Sequence, residues 1–284
     1  MMKLKLSLKK TCCLVMAAAS IGGMALAASP QAVYEEAARN MAAHPQGSYT
    51  IQLGMKMPFV GEGAIVNTTD VQERPFVVQS QTKTTGFAQT VAPKTAENKA
   101  YVVQDGKKLN AYYNADGTEK TWQKKSYDLK KSTPIADYLT WDHNVLAGVK
   151  SVTAAGGNDY NVVFDASRIY HPADKVTWKK EGMTDEQIRV AARLLQGLQQ
   201  CGDVKTVVTI DPASKRITRI SLPLTDQLRS LALTLIDEYG NNDTDKAAAQ
   251  SFVKLSELSL NVDCTALPKG TVLSVPEKVI KAAK

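Results

Sequence analysis

Tyr49, Ile51, Leu53, Met55 and Met57 alternate with Ser48, Thr50, Gln52, Gly54 and Lys56, and a strict period of two marks a strand with one buried face and one wet face. Such a row commits the chain to a sheet, because its apolar side needs a second layer to cover it. Further strand-like stretches follow at short intervals: Gly63 to Val71, Phe76 to Thr84, Ala100 to Gln104, Lys108 to Tyr113 and Glu119 to Lys125. Two connections, Asp105-Gly106 and Asn114-Ala115-Asp116-Gly117, carry residues that tolerate positive φ and so close hairpins. Sequential hairpins predict an antiparallel meander. Thr85 to Asn98 is polar and aperiodic and reads as a long connection, with a domain linker as the alternative.

Helix signals flank these strands. Ser29-Pro30 supplies an N-cap and a first-turn proline, Val33, Ala37 and Met41 recur on one face, and His44-Pro45 with Gly47 ends the segment near Ala43. Thr133-Pro134 opens a second helix carrying Ile135, Tyr138, Leu139, Val145 and Leu146 before Gly148. Strands resume at Asp159 to Phe164 and Val204 to Ile210; between them Thr184 and Gln187 resemble a capping box ahead of Ile188, Ala191, Leu195 and Leu198. Asp211-Pro212-Ala213-Ser214 turns the chain into Arg216 to Leu222, and Thr225 begins the most regular amphipathic helix, with Leu228, Leu231, Ala232, Leu235 and Tyr239 on one stripe before Gly240. The last strand is predicted over Phe252 to Asp263. Val253 and Leu255 fall on one parity there and Leu258, Leu260 and Val262 on the other, which a bulge near Ser256 would reconcile. The pattern predicts about ten antiparallel strands with helices segregated to one face, an α+β single domain.

The N-terminus constrains location. Lys3, Lys5, Lys9 and Lys10 precede an apolar run from Cys12 to Met24, and Ala25-Leu26-Ala27 follows before Ala28; these are the three parts of a secretory signal. A membrane anchor needs about 20 apolar residues, whereas this run is shorter, contains Gly22 and Gly23, and lacks a basic stop. The expected organisation is a signal over 1–27 and a mature domain over 28–284, exported to a periplasmic or extracellular site and soluble after cleavage near Ala27/Ala28. Cleavage takes four of the 35 Lys and Arg residues and none of the 28 acids, so the net charge falls from +7 to +3. That balance, with Lys124, Lys125, Lys130 and Lys131 read as a solvated edge, gives nucleic acid no electrostatic footprint. Cys12 and Cys13 leave with the signal, so Cys201 and Cys264 are expected to form a disulfide in an oxidising compartment, with two buried thiols as the alternative.

Catalytic signatures are missing. His44, His143 and His171 have no paired-ligand spacing, so neither a metal nor another cofactor is expected. There is no G-x-S-x-G elbow and no P-loop. Ser251-Phe252-Val253-Lys254 matches S-x-x-K, but a strand there would point Ser251 and Lys254 to opposite faces. Asn241 to Asp245 hints at a calcium loop, with Lys246 where glycine belongs and Phe252 at the last ligand position, and reads as a polar loop. A non-enzymatic role is expected. The candidate ligand-binding residues are apolar: Tyr49, Ile51, Leu53, Met55 and Met57 on the first strand, and Leu228, Leu231, Leu235 and Tyr239 on the amphipathic helix. Flexible thioethers suit irregular acyl chains; the alternative is a plain core between sheet and helix.

The order of elements resembles the LolA/LolB-like superfamily of envelope proteins. The resemblance is carried by Ser48-Tyr49-Thr50-Ile51 after the first helix, by Lys107-Lys108-Leu109-Asn110-Ala111-Tyr112-Tyr113 leading to Trp122, by Val208-Thr209-Ile210-Asp211 leading to Arg216-Ile217-Thr218-Arg219-Ile220, and by Val275-Pro276-Glu277-Lys278-Val279. It implies a curved antiparallel sheet, a half-barrel with helices packed on the concave face, and an apolar cavity for lipid or lipoprotein acyl chains. Stress sensors of the envelope share that fold, so it also implies an alternative: a module that binds another envelope protein, with a filled core and no ligand. Cys12 and Cys13 precede the apolar run instead of ending it, so no lipobox is present and a soluble form is expected.

Overall fold

The computed structural model describes residues 28–86, 98–114, 121–129, 148–169, 179, 184–200, 202–239 and 242–283. Its strands are β1 (Gly47–Met57), β2 (Gly61–Gln72), β3 (Val77–Gly86), β4 (Asn98–Asp105), β5 (Lys108–Asn114), β6 (Trp122–Asp128), β7 (Val149–Gly156), β8 (Asp159–Asp165), β9 (Asp203–Asp211), β10 (Arg216–Pro223) and β11 (Glu257–Thr265). They form one open, curved, antiparallel 11-stranded sheet in the order β6-β5-β4-β3-β2-β1-β11-β10-β9-β8-β7. Two meanders thus run outward from a central seam, where β1 pairs with β11 from Ser48↔Thr265 to Lys56↔Glu257. The helices are α1 (Pro30–Ala43), α2 (Ala166–Ile169), α3 (Asp185–Gln200), α4 (Thr225–Tyr239), α5 (Asp243–Lys254) and α6 (Glu277–Ala282).

The predicted start of α1 is observed, with Ser29 Oγ accepting a hydrogen bond from Ala32 N at 3.2 Å ahead of Pro30. Its buried stripe, Tyr34, Ala37 and Met41, packs on β7 to β11 against Val162, Val208, Ile217, Ile220 and Val262. Met41, Val162 and Val262 are 0% exposed. A second cluster gathers Val71, Phe76, Val78, Val102, Leu109 and Ala111 on the other meander.

Helices lie on both faces, which corrects the expectation that they would be segregated to one. In β4 and β5 the apolar residues occupy both parities: Val102 pairs with Ala111, and Tyr101 with Tyr112. Alternation sends those two pairs to opposite sides, so each side needs its own cover. The second side is closed by α6, where Val279 is buried with Tyr112 and Trp122. The segment leading to α6 is tied across β2 and β3, as Leu273 N donates to Gln72 Oε1 and Gln79 Nε2 donates to Ser274 O, each at 2.8 Å.

Two further expectations fail. The predicted strand from Phe252 begins only at Glu257, because Asp243–Lys254 is the helix α5. Asn242 caps it, its side chain accepting from Asp245 N at 2.8 Å, and Ala247, Ala248 and Ala249 favour the helix. The parity change near Ser256 is therefore a helix-to-strand junction and not a bulge. The strand β7 was not predicted; only Val152 is buried in it and its register shifts twice, so it carries no clear alternation. Irregular β7 and lysine-bearing β6 are the sheet edges, and both devices discourage edge-to-edge pairing. The β6 strand runs over Trp122–Asp128 in place of the predicted Glu119 to Lys125. The signal segment 1–27, most of the predicted helix over 133–148 and residues 115–117 of the second hairpin turn lie outside the described residues. No helix among the described residues is long and apolar enough to cross a membrane.

Candidate functional site

The register gathers the predicted strand residues on one face. Tyr49 lies opposite Cys264, Ile51 opposite Val262, Leu53 opposite Leu260 and Met55 opposite Leu258, while on the other flank Leu53 faces Ile65. Directly opposed residues share a face, so Tyr49, Ile51, Leu53, Met55, Met57, Ile65, Leu258 and Leu260 form one apolar surface. Tyr49 and Ile51 pack against the α1 core, and the Tyr49 hydroxyl donates to Pro45 O at 2.6 Å. Leu53, Met55, Met57, Ile65 and Leu258 join none of the three buried clusters and are half-buried. The row thus divides into a core half and a partly open half.

The helix of the predicted site starts beside the open half. Thr225 Oγ1 donates to Leu258 O and accepts from Leu258 N, each at 3.0 Å, which pins the first turn of α4 to the strand residue opposite Met55. Leu231 is buried and packs against Gly197 of α3, at a position where a Cβ would meet its Cδ1. The side chains of Leu228, Leu235 and Tyr239 lie outside the described residues. Between α3 and α4 is a cleft of about 60 Å³ lined by Arg193, Gly197, Gln200, Ser230, Leu231 and Thr234. That space suits a water or two and not an acyl chain.

The open half ends in an exposed apolar rim. At the β1–β2 hairpin Phe59 is fully exposed at 102% and Val60 is 50% exposed, while Leu255, before β11, is 63% exposed. The pairing Lys56↔Glu257 sets both at the same end of the sheet. Phe59 has φ +63, a left-handed conformation that is costly for a bulky residue.

A polar recess of about 370 Å³ lies at the other end, lined by His44, Gln46, Glu73, Arg216, Ala266 and Leu267. Arg216 donates to Gln46 O at 3.1 Å and Glu73 accepts from Gln46 N at 3.2 Å. The two charges therefore grip the link between α1 and β1. Nothing in the sequence signalled this recess, because its charged walls are 143 positions apart and meet only through the β1, β10 and β11 pairings.

Cys264 is a free, buried thiol in the α1 core, and burial pushes its pKa up to about 12. Cys201, the other half of the expected disulfide, lies outside the described residues. Cys264 is accordingly expected to resist an aromatic disulfide reagent in the native protein and to react at once in denaturant; rapid reaction of the native Cys264 would contradict its burial.

Ser251 and Lys254 sit one turn apart on α5, so the expected opposite-face argument against them does not apply. Ser251 is exposed and its hydroxyl donates to Ala247 O at 2.9 Å. Asn242, in the segment read as a polar loop, serves as the cap of α5. No cluster of three or more His, Cys, Asp or Glu side chains arranged for a metal occurs among the described residues. No protein-family model matches the chain, and no curated protein matches it significantly.

Proposed function

We propose that the protein is a soluble, exported, non-enzymatic binding protein for a lipid or acylated hydrophobic ligand. In this reading the curved sheet is a half-barrel, its concave side is the face bearing Leu53, Met55 and Met57, and α1 and α4 lie across that side. The observation that carries the reading is the division of the β1 row. Ile51 and Tyr49 are packed into the α1 core, whereas Leu53, Met55 and Met57 continue the same apolar row without joining a buried cluster. An apolar surface left partly open beside a packed core is the environment in which hydrophobic ligands are held.

The test is direct. Protein purified from its own host is examined by native mass spectrometry for a carried lipid, then delipidated and titrated with the apolar fluorophore N-phenyl-1-naphthylamine. Leu53→Asp and Met55→Asp are expected to weaken that binding about tenfold or more, through loss of apolar contact and the cost of desolvating a carboxylate, with the melting temperature little changed. No carried lipid and no saturable binding by the wild type would refute the reading.

A second reading, an interaction or stress-sensing module without a ligand, is favoured by the rim of Phe59, Val60 and Leu255. Exposed large apolar groups gathered at one end suit a protein partner. An envelope protein captured by the wild type and lost with Phe59→Ser, with no lipid in either, would favour it over the first.

A further inference from the structure

After β11 the chain becomes an arm that belongs to no strand. It leaves the sheet at Thr265, which stands in one cross-strand row with Ser48, Asp70, Gln79, Tyr101 and Tyr112. Directly opposed residues share a face. The arm therefore follows the second face, away from the Leu53 row, to the seat of α6 on Tyr112 and Trp122.

Side chains hold it there. Its hydrogen bonds to β2 and β3 run through two amides, Gln72 accepting from Leu273 N and Gln79 donating to Ser274 O. Gln72 is itself buried, and its Nε2 is spent on Pro75 O at 2.9 Å. The arm's backbone bonds are local, from Thr271 N to Pro268 O and from Val279 N to Pro276 O, so no ladder ties it to the sheet. Its apolar anchors are the buried Leu273 and Val279, and Val279 belongs to the small cluster apart from the two larger ones. Between Thr265 and Leu273 the chain is exposed except for half-buried Leu267, and Gly270 turns it with φ +82. Such a segment undocks as a unit without opening the sheet.

The outward side of the arm indicates what meets it. Val272, next to the anchor Leu273, is 78% exposed, and Ile280, next to the anchor Val279, is 48% exposed. Large apolar groups turned away from the seat suit burial against a second arm. We propose that two copies of this chain pair by exchanging residues 266–283, each arm lying in the other copy's seat on β2 to β6. Every copy holds both arm and seat, so exchange keeps the contacts described above and closes a two-fold, isologous pair. The inference is independent of the ligand-binding reading, which concerns the opposite face.

The full-length protein is compared with a variant lacking Ala266–Thr271 by size exclusion with light scattering at one fixed concentration. Gln72 lies two strands across from β11 and two residues beyond the level of Thr265, roughly 12 Å away. The deletion leaves two Cα steps from Thr265 to Leu273, about 7 Å at full extension, so the shortened arm cannot reach its own seat. Losing the tethered competitor is expected to raise the dimer fraction about tenfold or more over the wild type. Val279→Asp in the shortened chain is expected to return it to monomer, because a carboxylate does not enter the Tyr112 and Trp122 seat. Val279→Ala is measured beside it, with an expected partial loss of dimer, so that a wider defect of the aspartate variant does not decide the outcome. A shortened chain that stays monomeric overturns the proposal. So does a dimer that both Val279 variants leave intact, since it would be joined elsewhere.

Discussion

Met41→Ala is expected to lower the unfolding free energy by about 3 kcal/mol, within the range for truncating a buried methionine to alanine. The residue is 0% exposed, and its side chain is the far end of the α1 stripe that joins β7 to β11 in one core. Removing it leaves a cavity between a helix and a twisted sheet, two elements that cannot close a gap independently of their other contacts. The measurement is the urea midpoint at constant m-value, which separates lost stability from a change in the unfolded chain. Met57→Ala is the matched control. It removes the same atoms from a half-buried position outside all three clusters, so about 1 kcal/mol or less is expected. Equal losses at the two positions would show that Met57 is as tightly packed as Met41, and would remove the distinction on which the open half of the face depends.

The meander was legible because its signals are local. A period of two, broken by Asp105-Gly106, needs no knowledge of distant chain, and β1 to β5 fall where alternation places them. The helix α5 was not legible by that means. Val253, Leu255, Leu258, Leu260 and Val262 are spaced as a strand with one slip, and the deciding information was the cap at Asn242 and the alanine run, both outside the window in which parity was read. The edge strand β7 was missed for the opposite reason: with one buried residue, it has almost no pattern to read. Neither the β1–β11 seam nor the placement of α6 on the second face follows from local pattern, since each depends on pairing the beginning of the chain with its end.

The candidate site divides along the same line. Alternation identified the row from Tyr49 to Met57, but only the register with β11 and β2 shows that its first half is core and its second half partly open. The hydrogen-bonded group of Asn67 and Thr69 on β2 with Ser80 and Thr82 on β3 was invisible as a unit, because two strands each contribute two ordinary surface residues. The expected pairing of Cys201 with Cys264 rests on compartment and on an even count, and neither says where the chain places the thiols. Cys264 belongs to the α1 core, level with the turn end of β9.

That buried thiol makes the fold sensitive to alkali. Burial raises Cys264 from an ordinary value near 9 to about 12. Burial also raises Tyr34, and raises Tyr49 against the opposing pull of the Arg216 guanidinium. Below pH 9 the thiol is protonated in both folded and unfolded chains and contributes nothing to pH dependence. Above pH 9 the unfolded chain releases the proton while the folded chain keeps it, so the unfolded state is favoured by about 1.4 kcal/mol per pH unit for each such group. Cys264 alone then removes about 4 kcal/mol by pH 12, and Tyr34 adds a second slope once the pH passes 10. Urea midpoints collected from pH 8 to 11 are expected to be level at first, to decline from about pH 9, and to decline more steeply above pH 10. Cys264→Ala changes absolute stability through the cavity it leaves, so the slope is the quantity to compare: the variant is expected to stay level to about pH 10, the point at which the tyrosines begin to act. A wild-type midpoint that does not change across the whole range, or a variant that declines from pH 9 as the wild type does, would place the Cys264 thiol in water and not under α1.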